Sequence, residues 1–213
     1  MDIAAFTDAL SRAFDDFPND ETPRDPFYEK ILEEIGGLAR PNNLALIAAA
    51  TQALGDSESY VEAGSFKGAS LIAASHGKQG DFVGIDDFSM DKASRDRLGE
   101  NLAAFGCAHA TVLEGDVFDV LAGGALAGRC VGVYYYDAAH GFEQHLDGLR
   151  LVEPYLADEA LLIVDDSDWD VVERAVDEYL ATQPHAADLL RIDGKGRGAP
   201  HWWEGVRVLT WKH

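Results

Sequence analysis

Hydrophobic positions along the chain follow two different rhythms. Residues 3–14 repeat apolar side chains at helical spacing, and residues 15–26 are polar and turn-rich. Helical spacing returns over 27–38 and 41–54, the second stretch opening on Pro41, a residue suited to a first helical turn. From Ser59 the rhythm changes to short apolar runs at 60–63, 81–85, 111–113, 131–136 and 160–164. Helical stretches at 68–75, 92–105, 117–121 and 142–156 separate them. Continuous apolar runs suit strands buried on both faces, and their alternation with helices predicts a parallel sheet with right-handed crossovers. After a helix over 169–182, runs at 187–192 and 205–211 flank the glycine-rich turn Asp193-Gly194-Lys195-Gly196, which predicts a closing antiparallel hairpin. The pattern predicts an α/β fold with a mainly parallel seven-stranded sheet. It divides the chain into an N-terminal helical extension, 1–54, and a main unit, 55–213.

Charge narrows the partners. Thirty-eight acidic residues face seventeen basic ones, a formal charge of -21 over 213 residues. Such a surface repels phosphate backbones and anionic lipids, so no nucleic acid or membrane partner is expected. Residues 1–10 lack the basic and apolar halves of a signal peptide, and no apolar run approaches membrane-spanning length. Cys107 and Cys130 are widely spaced in small or apolar surroundings, which predicts buried free thiols. The expectation is a soluble cytoplasmic protein.

Chemistry gathers at the predicted strand ends. Tyr60-Val61-Glu62-Ala63-Gly64-Ser65-Phe66-Lys67-Gly68-Ala69-Ser70 reads as a strand, a tight glycine turn and a helix start. Gly64 and Gly68 would let a ligand approach the backbone, and the helix start offers free N–H groups. Phe66 stands where a dinucleotide fingerprint needs its middle glycine, which argues against NAD or FAD. Gly84-Ile85-Asp86-Asp87 ends the next strand about 20 residues on, where a carboxylate can bind ribose hydroxyls. Asp86 is the first candidate and Asp87 the alternative. Asp116 ends the third strand, placed for an adenine amino group, with Val117 or Phe118 against the ring. Each aspartate could also cap a helix.

Tyr134-Tyr135-Tyr136-Asp137-Ala138-Ala139-His140 closes the fourth strand and Leu161 to Asp166 the fifth. Adjacent parallel strands deliver Asp137, Asp165 and Asp166 to one carboxyl edge, where three anions repel unless protonated or neutralised by a cation. Oxygen ligands suit Mg²⁺, Mn²⁺ or Ca²⁺; separate helix caps are the alternative. His145, on the helix after His140, reads as a surface residue. The tyrosines read mainly as packing. Pro200-His201-Trp202-Trp203 reads as a loop segment that could wall a substrate site, make a dimer contact or simply pack.

The runs Val61 to Gly68, Asp137-x-x-His140 and Asp165-Asp166 resemble the class I O-methyltransferases that use S-adenosylmethionine (SAM), within them methyltransferase family 24. The resemblance covers roughly residues 55–166 and implies a Rossmann-like class I methyltransferase fold. It implies SAM held by Glu62, Gly64, Ser65, Phe66, Gly68, Ser70, Asp86, Asp87, Asp116, Val117, Phe118 and Asp137. It further implies a divalent metal, Mg²⁺ first, on Asp137, Asp165 and Asp166, with His140 as general base. Ala138 departs from the glycine usual after the first aspartate, which loosens the inference about substrate geometry. The expected partner is a small-molecule acceptor bearing a hydroxyl (a sugar, catechol or polyketide), with a homodimer left open. A SAM-binding protein without catalysis and a metal-dependent hydroxylase-like enzyme are the rival readings.

Overall fold

The computed structural model describes residues 1–194 and 201–213. Lys195, Gly196 and Pro200 of the expected hairpin loop lie outside the described residues. The N-terminal helices are α1 (Ile3–Ala13), α2 (Phe27–Ile35) and α3 (Pro41–Gln52). Asp2 starts α1 by accepting the amide of Ala5, and Pro41 opens α3. Helix α2 stops at Ile35, three residues short of the expectation, because Gly36 takes φ +70° and returns its N–H to Leu32 O.

The alternating region forms β1 (Ser59–Ala63), α4 (Ala69–Ser75), β2 (Asp81–Asp86), α5 (Ser94–Ala104), β3 (Thr111–Glu114), α6 (Val117–Ala122) and β4 (Val131–Tyr136). It continues through α7 (Phe142–Val152), β5 (Leu156–Asp165), α8 (Asp170–Thr182), β6 (Ala186–Ile192) and β7 (Val206–Lys212). One seven-stranded sheet results, in the order β3-β2-β1-β4-β5-β7-β6. Strands β1 to β5 pair in parallel, and β7 pairs antiparallel with both β5 and β6. β6 therefore runs in the direction of the parallel core, and β7 alone is reversed. β5 is longer than its apolar run because its polar start also pairs with β7, Glu159 opposite Lys212.

Two apolar layers cover the sheet. On one face α1 and α3 pack with Tyr60, Tyr135 and Ile163, and residues 42–51 of α3 are all buried. On the other, Leu146, Leu149, Val172 and Val176 from α7 and α8 cover Tyr134, Tyr136 and Leu162. Burial of alternate tyrosines on opposite faces follows from the two-residue period of a strand. Cys107 is buried as expected; Cys130, just before β4, is exposed, because it sits at the solvent end of the strand outside both layers. No helix among the described residues is long and apolar enough to cross a membrane.

Candidate active site

The order places β1 and β4 side by side at the centre, so the segments leaving them share one cleft at the carboxyl edge. The cleft encloses about 520 Å³, ordinary for a small-molecule site. Its first wall is the turn from β1 to α4. Gly64 takes φ +90°, and a Cβ there would lie 1.9 Å from the carbonyl oxygen of Asp137. Gly68 takes φ +91°, and its Cβ would meet Leu98 Cδ1 at 2.4 Å. Both glycines are thus demanded by the chain's own packing as well as by backbone conformation, rather than by ligand approach alone. Gly64 N–H donates to Ile85 O and Asp137 N–H to Ala63 O, each at 2.8 Å, which ties three strand ends together.

Asp86 locks this turn. Its Oδ2 accepts the amides of Ser65 (2.8 Å) and Phe66 (2.7 Å), and its Oδ1 accepts that of Phe88 (2.6 Å). Asp87 beside it is exposed and receives the Ser89 amide at 2.9 Å; hydrogen bonds from Ser89 hold its carboxyl below the usual range. Asp116 caps α6, one oxygen accepting the amides of Phe118 (2.9 Å) and Asp119 (3.1 Å). Ser65, Phe66, Ser70, Asp87, Val117 and Phe118 line the cleft. Glu62 does not: it is fully buried beneath the turn, accepting from Tyr60 Oη at 2.7 Å. Burial pushes its carboxyl up to about 7 against the hydrogen bonds from Tyr60, Ser65 and Ser70.

The second wall is the end of β4 and β5. Asp137, His140 and Asp166 bring one ligand atom each to within 4.8 Å of one another. His140 Nε2 lies 2.5 Å from Asp166 Oδ2 and 3.8 Å from Asp137 Oδ1. Asp166 Oδ1 is buried with no hydrogen-bond partner among the described residues. Asp165, expected in the same set, lies under it instead. Its Oδ1 accepts from Asn43 Nδ2 (3.3 Å) and the Asp166 amide (3.1 Å), and its Oδ2 from Tyr135 Oη. Tyr135 Oη is also 3.2 Å from Asp137 Oδ2, so the tyrosine bridges the two carboxylates. Burial, and then repulsion from neighbouring carboxylates (Asp165 and Asp166 on Asp137, Asp166 on Asp165), raises the carboxyls of Asp137 and Asp165 well above the ordinary range.

A family model described as a methyltransferase domain matches residues 61–167, half of the chain. The chain belongs to methyltransferase family 24. No curated protein matches it. Similar solved structures include an O-methyltransferase of Bacillus cereus in complex with S-adenosylhomocysteine (13% identity, all of both chains, TM-score 0.66). Another is the O-methyltransferase TomG of Streptomyces achromogenes in complex with SAM (16% identity, 100% of this chain and 92% of that one, TM-score 0.59). A TDP-rhamnose 3'-O-methyltransferase of calicheamicin biosynthesis matches at 20% identity over all of both chains, with TM-score 0.60. The methyltransferase is a SAM-dependent enzyme on the Rossmann-like fold that family membership implies.

Several side chains of this methyltransferase differ from expectation. His145 is buried at 1% exposure, not on the surface: its ring packs 4.7 Å from that of Tyr136 and 5.8 Å from that of His140. Burial pulls its imidazole down to about 4, so it is neutral at working pH. Trp202 is a packing residue, wedged against Phe14 and Phe17 with its indole N–H on Pro18 O at 2.7 Å. Trp203 lines the cleft. Sequence reasoning missed Trp169, whose ring lies 5.1 Å from His140, and Asn43, which reaches Asp165 from α3. A large aromatic side chain three residues after Asp166 was the signal for the first; nothing local marked the second.

Proposed function

We propose that the enzyme methylates a hydroxyl oxygen of a small metabolite with the help of a divalent cation. The observation that carries this reading is the Asp137–His140–Asp166 trio, set on the two strand ends beside the glycine turn. The site fits SAM: the turn is pre-shaped by Asp86, and Asp87, Asp116 and Phe118 project into a cleft of sufficient size. Asp87, with one oxygen outside the turn's hydrogen bonds, is the better placed of the aspartate pair for ribose. Asp116 would keep its second oxygen for the adenine, with Val117 and Phe118 against the ring. The site also fits a hard cation: two carboxylates converge, and a buried oxygen of Asp166 has no partner of its own.

Bound SAM supplies a methyl group already activated on a sulfonium. A bound Mg²⁺ supplies positive charge that lowers the pKa of an acceptor hydroxyl. Asp137 and Asp166 would hold the cation, with Asp165 and Tyr135 bracing them from below. His140 would take the acceptor's proton, and Asp166 Oδ2, 2.5 Å from its Nε2, would stabilise the imidazolium that forms. The neutral His145 behind His140 keeps its ring in place without adding a second charge. Trp169 covers His140 and limits water at the reacting oxygen. Residues 1–54 act as a cap, since Gly36, Leu38, Ala39 and Leu44 line the same cleft. The strongly acidic surface favours a small acceptor over nucleic acid. An exposed free thiol at Cys130 fits the reducing cytoplasm.

Methyl transfer from labelled SAM to a panel of catechols, sugars and polyketides tests the reading. Turnover should vanish in EDTA. Asp166→Asn should lose about 100-fold, partly restored by excess Mg²⁺, whereas His140→Ala should lose at least as much and gain nothing from added metal. Turnover that survives exhaustive EDTA treatment would remove the cation and leave His140 alone as the base.

A further inference from the structure

The surface carries three exposed large hydrophobic side chains among the described residues, Leu38, Met90 and Trp169, at 54%, 66% and 44% exposure. All three line the one cleft. They come from three distant parts of the chain: the segment after α2, the loop after β2 and the turn after β5. Convergence of otherwise unfavourable exposure on a single concave site marks a surface kept apolar for a ligand. Trp169 is held there by its own turn, where Asp166 takes φ +52° and its carbonyl accepts the Trp169 N–H at 3.0 Å. The indole ring is tilted 37° to the His140 imidazole, so it forms a flat plate next to the reacting trio. Trp203 adds a second indole to the lining.

The charge of the same cleft is one-sided. Among the described residues, six carboxylates line it, Asp86, Asp87, Asp116, Asp137, Asp166 and Glu204, against Lys67 as the single lysine or arginine. Arg40 lies nearby, but its guanidinium sits over the Trp203 ring, 5.6 Å from the centroid, and is not part of the lining. Admitting a divalent cation and the sulfonium of SAM still leaves negative charge in excess. The chain as a whole, at -21, extends that field beyond the cleft mouth. An incoming anion meets repulsion at long range and, among the described residues, finds only Lys67 at short range. A cation meets the reverse.

We infer that the acceptor is an uncharged or cationic molecule with a flat apolar body, and that the cleft rejects acceptors carrying phosphate or carboxylate. The inference rests on the hydroxyl-methylation reading for the place where the acceptor sits. It separates this enzyme from its structural neighbour that methylates a nucleotide-linked sugar, whose acceptor bears a diphosphate.

Three catechols with the same reacting hydroxyls test it: 4-methylcatechol (neutral), 3,4-dihydroxybenzoate (anionic) and 3,4-dihydroxyphenethylamine (cationic). Calorimetric titration into the protein saturated with S-adenosylhomocysteine and Mg²⁺ gives affinities, and SAM turnover gives kcat/KM. The benzoate should bind about tenfold more weakly than the other two, and the gap should narrow at high salt and in Glu204→Gln. Trp169→Ala should weaken the neutral catechol about tenfold while leaving the charge order intact. Equal or tighter binding of the benzoate, or no binding by any of the three, overturns the inference. Binding in the expected order without methylation would instead overturn hydroxyl methylation and leave the selectivity standing.

Discussion

At the β2 and β3 ends of the cleft, Asp86 and Asp116 hold their positions by accepting backbone N–H groups, three for the first and two for the second. At the β4 and β5 ends, Asp137 and Asp166 instead converge on each other and on His140, and one buried Asp166 oxygen is left without a partner. The two regions use the same residue type for opposite physical ends. Carboxylates bonded to amides fix a loop and gain stability from it. Carboxylates aimed at one another repel and cost stability until a cation joins them. The first wall is a scaffold, and the second, the proposed reactive centre, is supported by that scaffold through the Gly64–Asp137 contact.

Removing Asp86 should break the scaffold wall most severely. Asp86→Ala strands three amides, so unfolding free energy by urea titration should fall by roughly 3–4 kcal/mol. Asp87→Ala should change it by under about 0.5 kcal/mol while still weakening S-adenosylhomocysteine binding. Equal stability losses in the two variants would mean that the turn is not held as described.

A smaller effect comes from Glu62 under the same wall. Its carboxyl is raised to about 7 by burial, so the folded state binds the proton more tightly than the unfolded one. The associated stability is fully present below the unfolded value near 4.5 and is lost as pH rises to 7. Between pH 4.5 and pH 8 the wild type should therefore lose about 2–3 kcal/mol that Glu62→Gln does not. The difference between the two proteins' unfolding curves at those pH values isolates the group. A constant difference would place Glu62 in water or in a permanent ion pair.

Much of this was legible because central strands are buried on both faces. The run from Val131 to Tyr136 is a strand with those bounds, and the glycine turn and its following carboxylates fall at successive strand ends as the alternating pattern requires. What the pattern lacked was phase at the ends. Adjacent residues of a strand face opposite ways, so the pattern alone did not say how Asp165 and Asp166 are turned: Asp166 leaves the strand at positive φ and meets His140, while Asp165 accepts from Tyr135 and Asn43. His145 was misread for a related reason. Its side of α7 lies against Tyr136, and the clue was Gly148, where a Cβ would meet the Tyr136 ring at 2.2 Å. A glycine inside an otherwise ordinary helix signalled close packing that buries its neighbours. The brace from Asn43 to Asp165 spans 122 positions, and no local pattern encodes it.

Mn²⁺ binding followed by electron paramagnetic resonance is the most direct test of the reactive centre, since it does not depend on knowing the acceptor. With S-adenosylhomocysteine bound, the wild type should hold one Mn²⁺ per chain. Asp137→Asn and Asp166→Asn should weaken it by about 10–100-fold, and His140→Ala should hold it nearly as well, as befits a base rather than a ligand. A wild type that binds no Mn²⁺, or binds it as tightly after Asp166→Asn as before, would contradict the account.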